Sequence, residues 1–128
     1  MKRFFACLFL SAVGAFAGSP EMLTPQAADS LIKASAKAPG SLVLLDVRTP
    51  EEYAQGHLRG ALLYDVKSSD FDAKVAKLPR GAKYLLYCRS GHRSGIALDR
   101  MKTMGFSDLR HVAGGIQAWS AAGLAVIK

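Results

Sequence analysis

The sequence predicts an α/β fold built on a parallel β-sheet. Residues 42–47 and 83–87 form apolar runs, which are typical of strands buried on both faces of such a sheet. Segments with helical periodicity separate the predicted strands, and this alternation of strands and helices indicates parallel pairing. The 128 residues suffice for one domain with a sizeable core but not for two.

The first predicted helix begins at a clear capping signal. Thr24 provides an N-cap, Pro25 occupies the first helical position, and an apolar stripe continues until just before Ala38. Residues 18–22 precede this signal and are predicted to be a flexible leader. Beyond the strand at 42–47, residues 57–63 are predicted to turn into another strand.

A second, short helix is predicted immediately after the strand at 42–47. Thr49 is its N-cap, Pro50 its first helical residue, and Glu52 stands at the capping-box position. This helix should stop near Gly56, because glycine commonly follows the last turn of a helix.

The second half of the chain repeats the alternation of helices and strands. Its predicted elements are a helix at 69–78, a strand at 83–87, a helix at 95–104, a strand at 109–112 and a helix at 116–122.

The strand at 83–87 is followed at once by Cys88 and a short loop of glycine, serine, histidine and arginine. Backbone N–H groups of the loop, the positive end of the next helix, and the charges of Arg89 and Arg93 all favour a thiolate over a thiol. The alternative is a buried structural cysteine, which has no use for two arginines and a glycine loop. Cys88 is therefore the candidate nucleophile.

The first 17 residues are predicted to be a cleaved secretory signal peptide. Lys2 and Arg3 form a short basic segment, residues 4–13 are apolar, and residues 15–17 are Ala-Phe-Ala, a cleavage signal. The apolar run is too short to span about 30 Å of hydrocarbon, which disfavours the alternative of a membrane anchor. We expect an exported, periplasmic protein with no stable membrane insertion after cleavage and a single domain at residues 24–126.

Cleavage would change both the cysteine count and the charge. Cys7 would leave with the signal peptide, so Cys88 could form no intramolecular disulfide and would be a candidate reactive thiol. Formal net charge is +7, and loss of Lys2 and Arg3 would leave +5. The basic residues are scattered without interleaved aromatic residues, so no nucleic-acid partner is predicted. A small anionic substrate explains the charge better.

No metal ion or organic cofactor is predicted. Cys88 and His92 are too few ligands for a zinc site, and the mature chain has no other cysteine to complete one. His92 lies in the cysteine loop, and both a role at the thiol or substrate and simple solvent exposure are open for it. His57 and His111 are interpreted as structural histidines.

Three segments of the sequence resemble the rhodanese homology domain, a family of single-domain sulfurtransferases. The first covers residues 45–53 and continues at 56–61, the second is the loop at 88–94, and the third covers 112–119. Their order and spacing resemble those of the family over roughly residues 24–125. The resemblance implies a five-stranded parallel sheet flanked by helices on both faces.

The resemblance also implies a chemistry that needs no cofactor. A sulfane sulfur passes from thiosulfate or a related small anionic donor to a thiol or cyanide acceptor, through a persulfide on a catalytic cysteine that corresponds to Cys88. Asp46 and Arg48 resemble residues that tie the first strand's end to the loop. Ser90 is a departure, because thiosulfate-specialised members often carry a cation at this position. The residues that correspond to the substrate-binding loop are Arg89, Ser90, Gly91, His92, Arg93 and Ser94, with Ser94 as the helix cap.

Two other functions are open at this point. A cysteine-dependent phosphatase would use a similar thiolate and arginine, but its loop has five residues between them. Here four residues separate Cys88 from Arg93, and Ser94 stands where the phosphatase arginine would be. A non-catalytic sulfur-carrier or binding module is the other alternative, although inactive members of this fold commonly lack the cysteine.

Overall fold

The structure is a computed structural model, and it describes residues 21–128. The predicted signal peptide lies outside these residues and stays a prediction. All strand pairs in the sheet are parallel, in the order β1-β5-β4-β2-β3. This arrangement confirms the predicted α/β fold with a five-stranded parallel sheet. The strands are β1 (Glu21–Leu23), β2 (Val43–Asp46), β3 (Leu62–Leu63), β4 (Tyr84–Tyr87) and β5 (Leu109–Val112).

Helices connect successive strands of the described chain and complete its C-terminal part. They are α1 (Pro25–Ser35), α2 (Pro50–Gln55), α3 (Phe71–Val75), α4 (His92–Thr103) and α5 (Gly115–Ala121). The cap predicted for α1 is present, since the N–H of Ala27 donates to Thr24 Oγ1 at 3.1 Å. The capping box of Thr49 and Glu52 at the start of α2 is also confirmed. Between residues 21 and 128, none of the helices has the length and apolar character needed to cross a bilayer.

Strand β4 lies at the centre of the sheet, and its four side chains are fully buried. Tyr84 and Leu86 pack into the layer that contains α3 and α4, whereas Leu85 and Tyr87 pack into the layer that contains α1 and α5. Because helices cover both faces, every position of this strand can be apolar. The predicted flanking of the sheet on both faces is confirmed.

The leader predicted over residues 18–22 is wrong for Glu21 and Met22, which belong to β1. This strand pairs in parallel with β5, with Met22 opposite His111. It has three residues on the edge of the sheet, and the Met22 side chain is 64% exposed. An apolar pattern could therefore not reveal it. The sheet thus includes residues that precede the predicted start of the domain at residue 24.

The strand order determines where a site can form. β4 has β2 on one side and β5 on the other, and all three strands run in the same direction. The carboxyl ends of these strands bring Asp46, Cys88 and Gly114 to one edge of the sheet. From this edge the chain continues from β4 into α4 on one face of the sheet, and from β2 and β5 into α2 and α5 on the other face. Such an edge is the usual place for ligand sites in parallel α/β proteins.

Candidate active site

Cys88 follows the last residue of β4, and it is only 1% exposed. The loop turns back over the sulfur, so that the N–H of Gly91 donates to Cys88 Sγ at 3.0 Å. Gly91 has φ of 109°, a left-handed conformation that other residues adopt only with strain. The glycine is thus required for the turn that directs an amide at the sulfur.

Helix α4 begins at His92, three residues before the predicted start at Gly95. The prediction that Ser94 caps this helix is wrong, because Ser94 lies inside its first turn and Gly91 is the N-cap. The Ser94 side chain is fully buried and points at the loop, with Oγ 3.6 Å from Cys88 Sγ and 2.8 Å from His111 Nδ1. Ser94 is therefore a part of the cysteine site and not a cap.

The cysteine loop lowers the pKa of the Cys88 thiol below its ordinary value. Burial acts in the opposite direction and raises the pKa, because the thiolate loses contact with water. The N–H and hydroxyl of Ser94 and the N–H groups of Gly91 and Ser90 outweigh burial, since all of them donate to the charged sulfur. Hydrogen bonds from the loop are the main contributions that lower this pKa, and the charge of Arg93, as expected from the sequence, also attracts the thiolate.

Arg93 has an acidic partner that the sequence does not reveal. Its guanidinium binds both carboxylate oxygens of Glu52 in α2, at 2.7 and 2.9 Å. This contact with Arg93 lowers the pKa of Glu52 to about 2. Glu52 also accepts the N–H of Thr49 in the capping box, so one carboxylate joins the start of α2 to the start of α4. Sequence reasoning identified only the capping role of Glu52.

We expect the Glu52→Gln variant to be less stable than the natural protein by about 1 to 3 kcal/mol at pH 7. The folded chain holds the pKa of Glu52 near 2, against an ordinary value of 4.5. The unfolded chain therefore binds more protons between these values, and the ion pair stabilises fully above about pH 4.5. The difference in unfolding free energy between the two proteins should shrink as the pH falls from 4.5 towards 2.

Urea denaturation at pH 7, 4 and 3 measures this difference. Glutamine can still complete a capping box, so the substitution isolates the ion pair. Glu51→Gln is the matched control, because Glu51 is an exposed carboxylate on the same first turn. It should change the unfolding free energy by less than about 0.5 kcal/mol. An effect of Glu52→Gln that is constant with pH would contradict the assignment of the ion pair.

Arg89 is exposed and makes no ion pair within residues 21–128. It lies along an open groove between α2, α5 and the C-terminal segment, and the backbone N–H of Gln117 donates to its carbonyl oxygen at 3.1 Å. Ser90 and His92 are exposed as well. His92 lines a different depression, with Met22 and His111, so the structure does not bring its ring into the groove of Arg89.

Asp46 and Arg48 form a buried ion pair at the end of β2, with an N–O distance of 2.7 Å. Tyr87 donates its hydroxyl to Asp46 Oδ2 at 2.6 Å, and Arg48 donates to the carbonyl of Gly56 at 2.7 Å. These contacts join β2 to β4 and to the end of α2. Asp46 and Arg48 make no hydrogen bond to residues 88–94 and are connected to the cysteine loop through Tyr87, the residue before Cys88.

The start of α5 holds the backbone of the cysteine loop, a contact that sequence reasoning missed. The N–H of Ile116 donates to the carbonyl of Cys88 at 2.9 Å, alongside the bond from Gln117 to Arg89. Gly115 lies against these carbonyls so closely that a Cβ atom there would be 2.4 Å from the oxygen of Arg89. Its φ of 61° is left-handed. The consecutive glycines at 114 and 115 are the sequence feature that could have indicated this close approach.

The described residues contain no group of three or more His, Cys, Asp or Glu side chains that could hold a metal ion. Cys88 is the only cysteine among them and is a free thiol. The site thus consists of one thiol, the amides of its loop, and the side chains of Ser94 and His111.

The fold and the site together define an α/β protein that presents a cysteine of lowered pKa at the carboxyl edge of a parallel sheet. Residues 24–122 match the family model described as the Rhodanese-like domain. The chain belongs to this family.

Two curated relatives and one solved structure illustrate the similarity. "Thiosulfate sulfurtransferase GlpE" of Pseudomonas putida is 35% identical over 80 residues, which are 62% of this chain and 70% of GlpE. "Probable adenylyltransferase/sulfurtransferase MoeZ" of Mycobacterium tuberculosis is 43% identical over 79 residues, which are 62% of this chain but only 20% of MoeZ. The crystal structure of a rhodanese-related protein from Thermoplasma volcanium has a TM-score of 0.70 and 27% identity, and the match covers 84% of this chain and 97% of that one. These relatives support a sulfurtransferase role in general.

Proposed function

We propose that this protein transfers a sulfane sulfur from thiosulfate or a related small anionic donor to a thiol or cyanide, through a persulfide on Cys88. The observation that carries the proposal is the position of the Cys88 sulfur, which lies at the end of β4 under a loop whose amides lower its pKa. A thiolate is the nucleophilic form of cysteine, and the lowered pKa increases the fraction of Cys88 in this form.

In the first step the Cys88 thiolate attacks the outer sulfur of thiosulfate. A new S–S bond forms on Cys88, and the S–S bond of thiosulfate breaks with its electron pair going to sulfite. The thiolate and thiosulfate together carry three negative charges, and so do the products, the persulfide anion and sulfite. The step therefore requires no external oxidant or reductant. The loop N–H groups are preorganised for negative charge on sulfur throughout this step.

In the second step an acceptor removes the outer sulfur and restores the enzyme. Cyanide or a thiolate attacks that sulfur, the persulfide S–S bond breaks, and its electron pair returns to Cys88 as the thiolate. Thiocyanate or an acceptor persulfide leaves. The same amides of Gly91 and Ser94 that favour the thiolate before the reaction favour its return at the end.

The surroundings of the loop assign different roles to its two arginines. Arg89 is exposed beside the groove and without an acidic partner in the described chain, so it can attract an anionic donor. Arg93 is paired with Glu52, and this ion pair joins the start of α4 to the start of α2. Since Ser90 brings no cation to the loop, binding of the donor depends on Arg89 and the backbone amides.

A steady-state assay with thiosulfate and cyanide tests the proposal against its two alternatives. We expect continuous formation of thiocyanate and no appreciable hydrolysis of an aryl phosphate, because the loop has one residue fewer between cysteine and arginine than a phosphatase loop. Release of a single equivalent of sulfite without turnover would indicate a sulfur carrier. Phosphate release without sulfur transfer would overturn the proposal in favour of a phosphatase.

A further inference from the structure

The Ser94 hydroxyl lies among three polar atoms that can each engage it. Its oxygen is 3.2 Å from the carbonyl of Gly91, 3.6 Å from Cys88 Sγ and 2.8 Å from His111 Nδ1. Ser94 is fully buried and His111 is 7% exposed, so water does not take the place of these partners. A hydroxyl has one proton to donate and two lone pairs that accept. The partners therefore compete for one proton.

The protonation of His111 decides this competition. The Gly91 carbonyl only accepts, and it already accepts the helical N–H of Gly95 at 3.2 Å. When Cys88 is a thiolate, its sulfur can accept a hydrogen bond but has no proton to donate. If Nδ1 of His111 lacks a proton, it is a third acceptor and, at 2.8 Å, the best placed one. If Nδ1 carries the proton, it donates to the Ser94 oxygen and leaves the hydroxyl proton free for the sulfur.

We infer that His111 is a positioning residue of the Cys88 site, which donates from Nδ1 to the Ser94 oxygen and thereby directs the Ser94 hydroxyl proton at the thiolate. The inference rests on the proposed function for the role of Cys88 in turnover. It gives His111 a part in the chemistry of the thiol, beyond the structural role that the sequence indicated.

The groups around His111 fit a neutral ring that donates from one nitrogen. The titratable groups that face it are Asp99 and His92 of α4 and, beyond Ser94, Cys88 at the end of β4. Its neighbours on the paired strands are Met22 of β1 and Leu86 of β4, which carry no charge. Burial lowers the pKa of His111, and the Asp99 carboxylate opposes this only in part. The neutral ring has one N–H, and its placement on Nδ1 is what the inference requires.

The experiment measures the rate of alkylation of Cys88 by iodoacetamide against pH, followed on the Cys88 peptide by mass spectrometry so that Cys7 does not contribute. His111→Leu removes the donor, and we expect the midpoint of the profile to rise by about one pH unit. His111→Asn keeps an amide N–H near the position of Nδ1 and should stay close to the natural protein. His111→Gln is the matched polar control, because its amide lies beyond that position, and its midpoint should rise.

Combination with Ser94→Ala tests the path of the effect. Ser94→Ala alone should raise the midpoint, and adding His111→Leu to it should raise the midpoint no further, since the two residues act in series. A full additional rise in the double variant would overturn the inference, as would an unchanged midpoint in His111→Leu. If His111→Leu does not fold, the test is the comparison of the alkylation midpoints of His111→Asn and His111→Gln. Equal midpoints for these two variants would overturn the inference.

The outcome is separate from the fate of the proposed function. Alkylation needs no sulfur donor, so a shifted midpoint in a protein that does not turn over thiosulfate would support the coupling of His111 to Cys88 and contradict the sulfurtransferase proposal alone. Normal turnover with an unchanged midpoint would contradict only the inference. The thermal unfolding temperature of each variant shows whether the fold is retained. If His111 had a purely structural role, its substitution would change the unfolding temperature without changing the midpoint of the alkylation profile.

Discussion

Cys88→Ser is expected to lower the rate of sulfur transfer from thiosulfate to cyanide by at least about a thousandfold, to the background rate. A serine hydroxyl is not ionised near neutral pH, is a poor nucleophile towards sulfur, and cannot carry a persulfide. The loss should occur without loss of the fold, because serine is close to cysteine in size and can accept the N–H of Gly91 that now binds the sulfur. The production of thiocyanate under saturating donor measures the effect.

Cys7→Ser is the matched control for this substitution. Cys7 is the other cysteine of the full sequence and lies in the predicted signal peptide, so this variant should keep full activity. Thermal unfolding of Cys88→Ser should agree with that of the natural protein to within a few degrees. Residual transfer above one tenth of the natural rate in Cys88→Ser would show that the sulfur is carried elsewhere.

Gly115→Ala is expected to destabilise the protein by about 3 kcal/mol or more and to lower sulfur transfer by about a hundredfold. The added Cβ would lie 2.4 Å from the carbonyl oxygen of Arg89 and 2.5 Å from that of Cys88, so the cysteine loop or α5 must move. Alanine at φ of 61° adds backbone strain. A displacement of the Cys88 backbone misplaces the sulfur relative to the amides that stabilise it.

The effect of Gly115→Ala separates into strain and overlap by comparison with Gly123→Ala. Gly123 has φ of 81°, but a Cβ atom there meets nothing within 4 Å. Gly123→Ala should therefore cost only the conformational strain, about 1 kcal/mol, and leave the transfer rate unchanged. Urea denaturation and the thiocyanate assay on both variants give the comparison. Equal stability and activity of the two variants would contradict the conclusion that the start of α5 holds the backbone of the cysteine loop in place.

The centre of the fold is predictable from the sequence because a strand that is buried on both faces has an uninterrupted run of apolar residues. Tyr84 to Tyr87 must all be apolar when helices cover both sides, and the caps at Thr24 and Thr49 locate the helices between strands. β1 lacks such an apolar run. Its three residues gain their place from backbone pairing with β5, which depends little on side chains.

The candidate site divides in the same way. The end of a buried strand, a glycine and a helix start are local features, so Cys88 and its loop are visible in the sequence. The partners of the loop come from distant parts of the chain: Glu52 is 41 residues from Arg93, and His111 is 17 residues from Ser94. Only the tertiary fold, which brings the starts of α2 and α4 together and packs β5 against α4, places these residues side by side. The sequence therefore does not reveal that Arg93 pairs with Glu52 or that the ring of His111 lies beside Ser94.

The intact mass of the purified protein before and after incubation with thiosulfate tests the central claim most directly. Transfer through a persulfide predicts a gain of one sulfur atom, ~32 Da, located on the peptide that contains Cys88 and lost again on addition of cyanide. The same incubation of Cys88→Ser should give no gain. A natural protein that turns over thiosulfate with no gain of mass on Cys88, or a gain that persists in Cys88→Ser, would contradict the account.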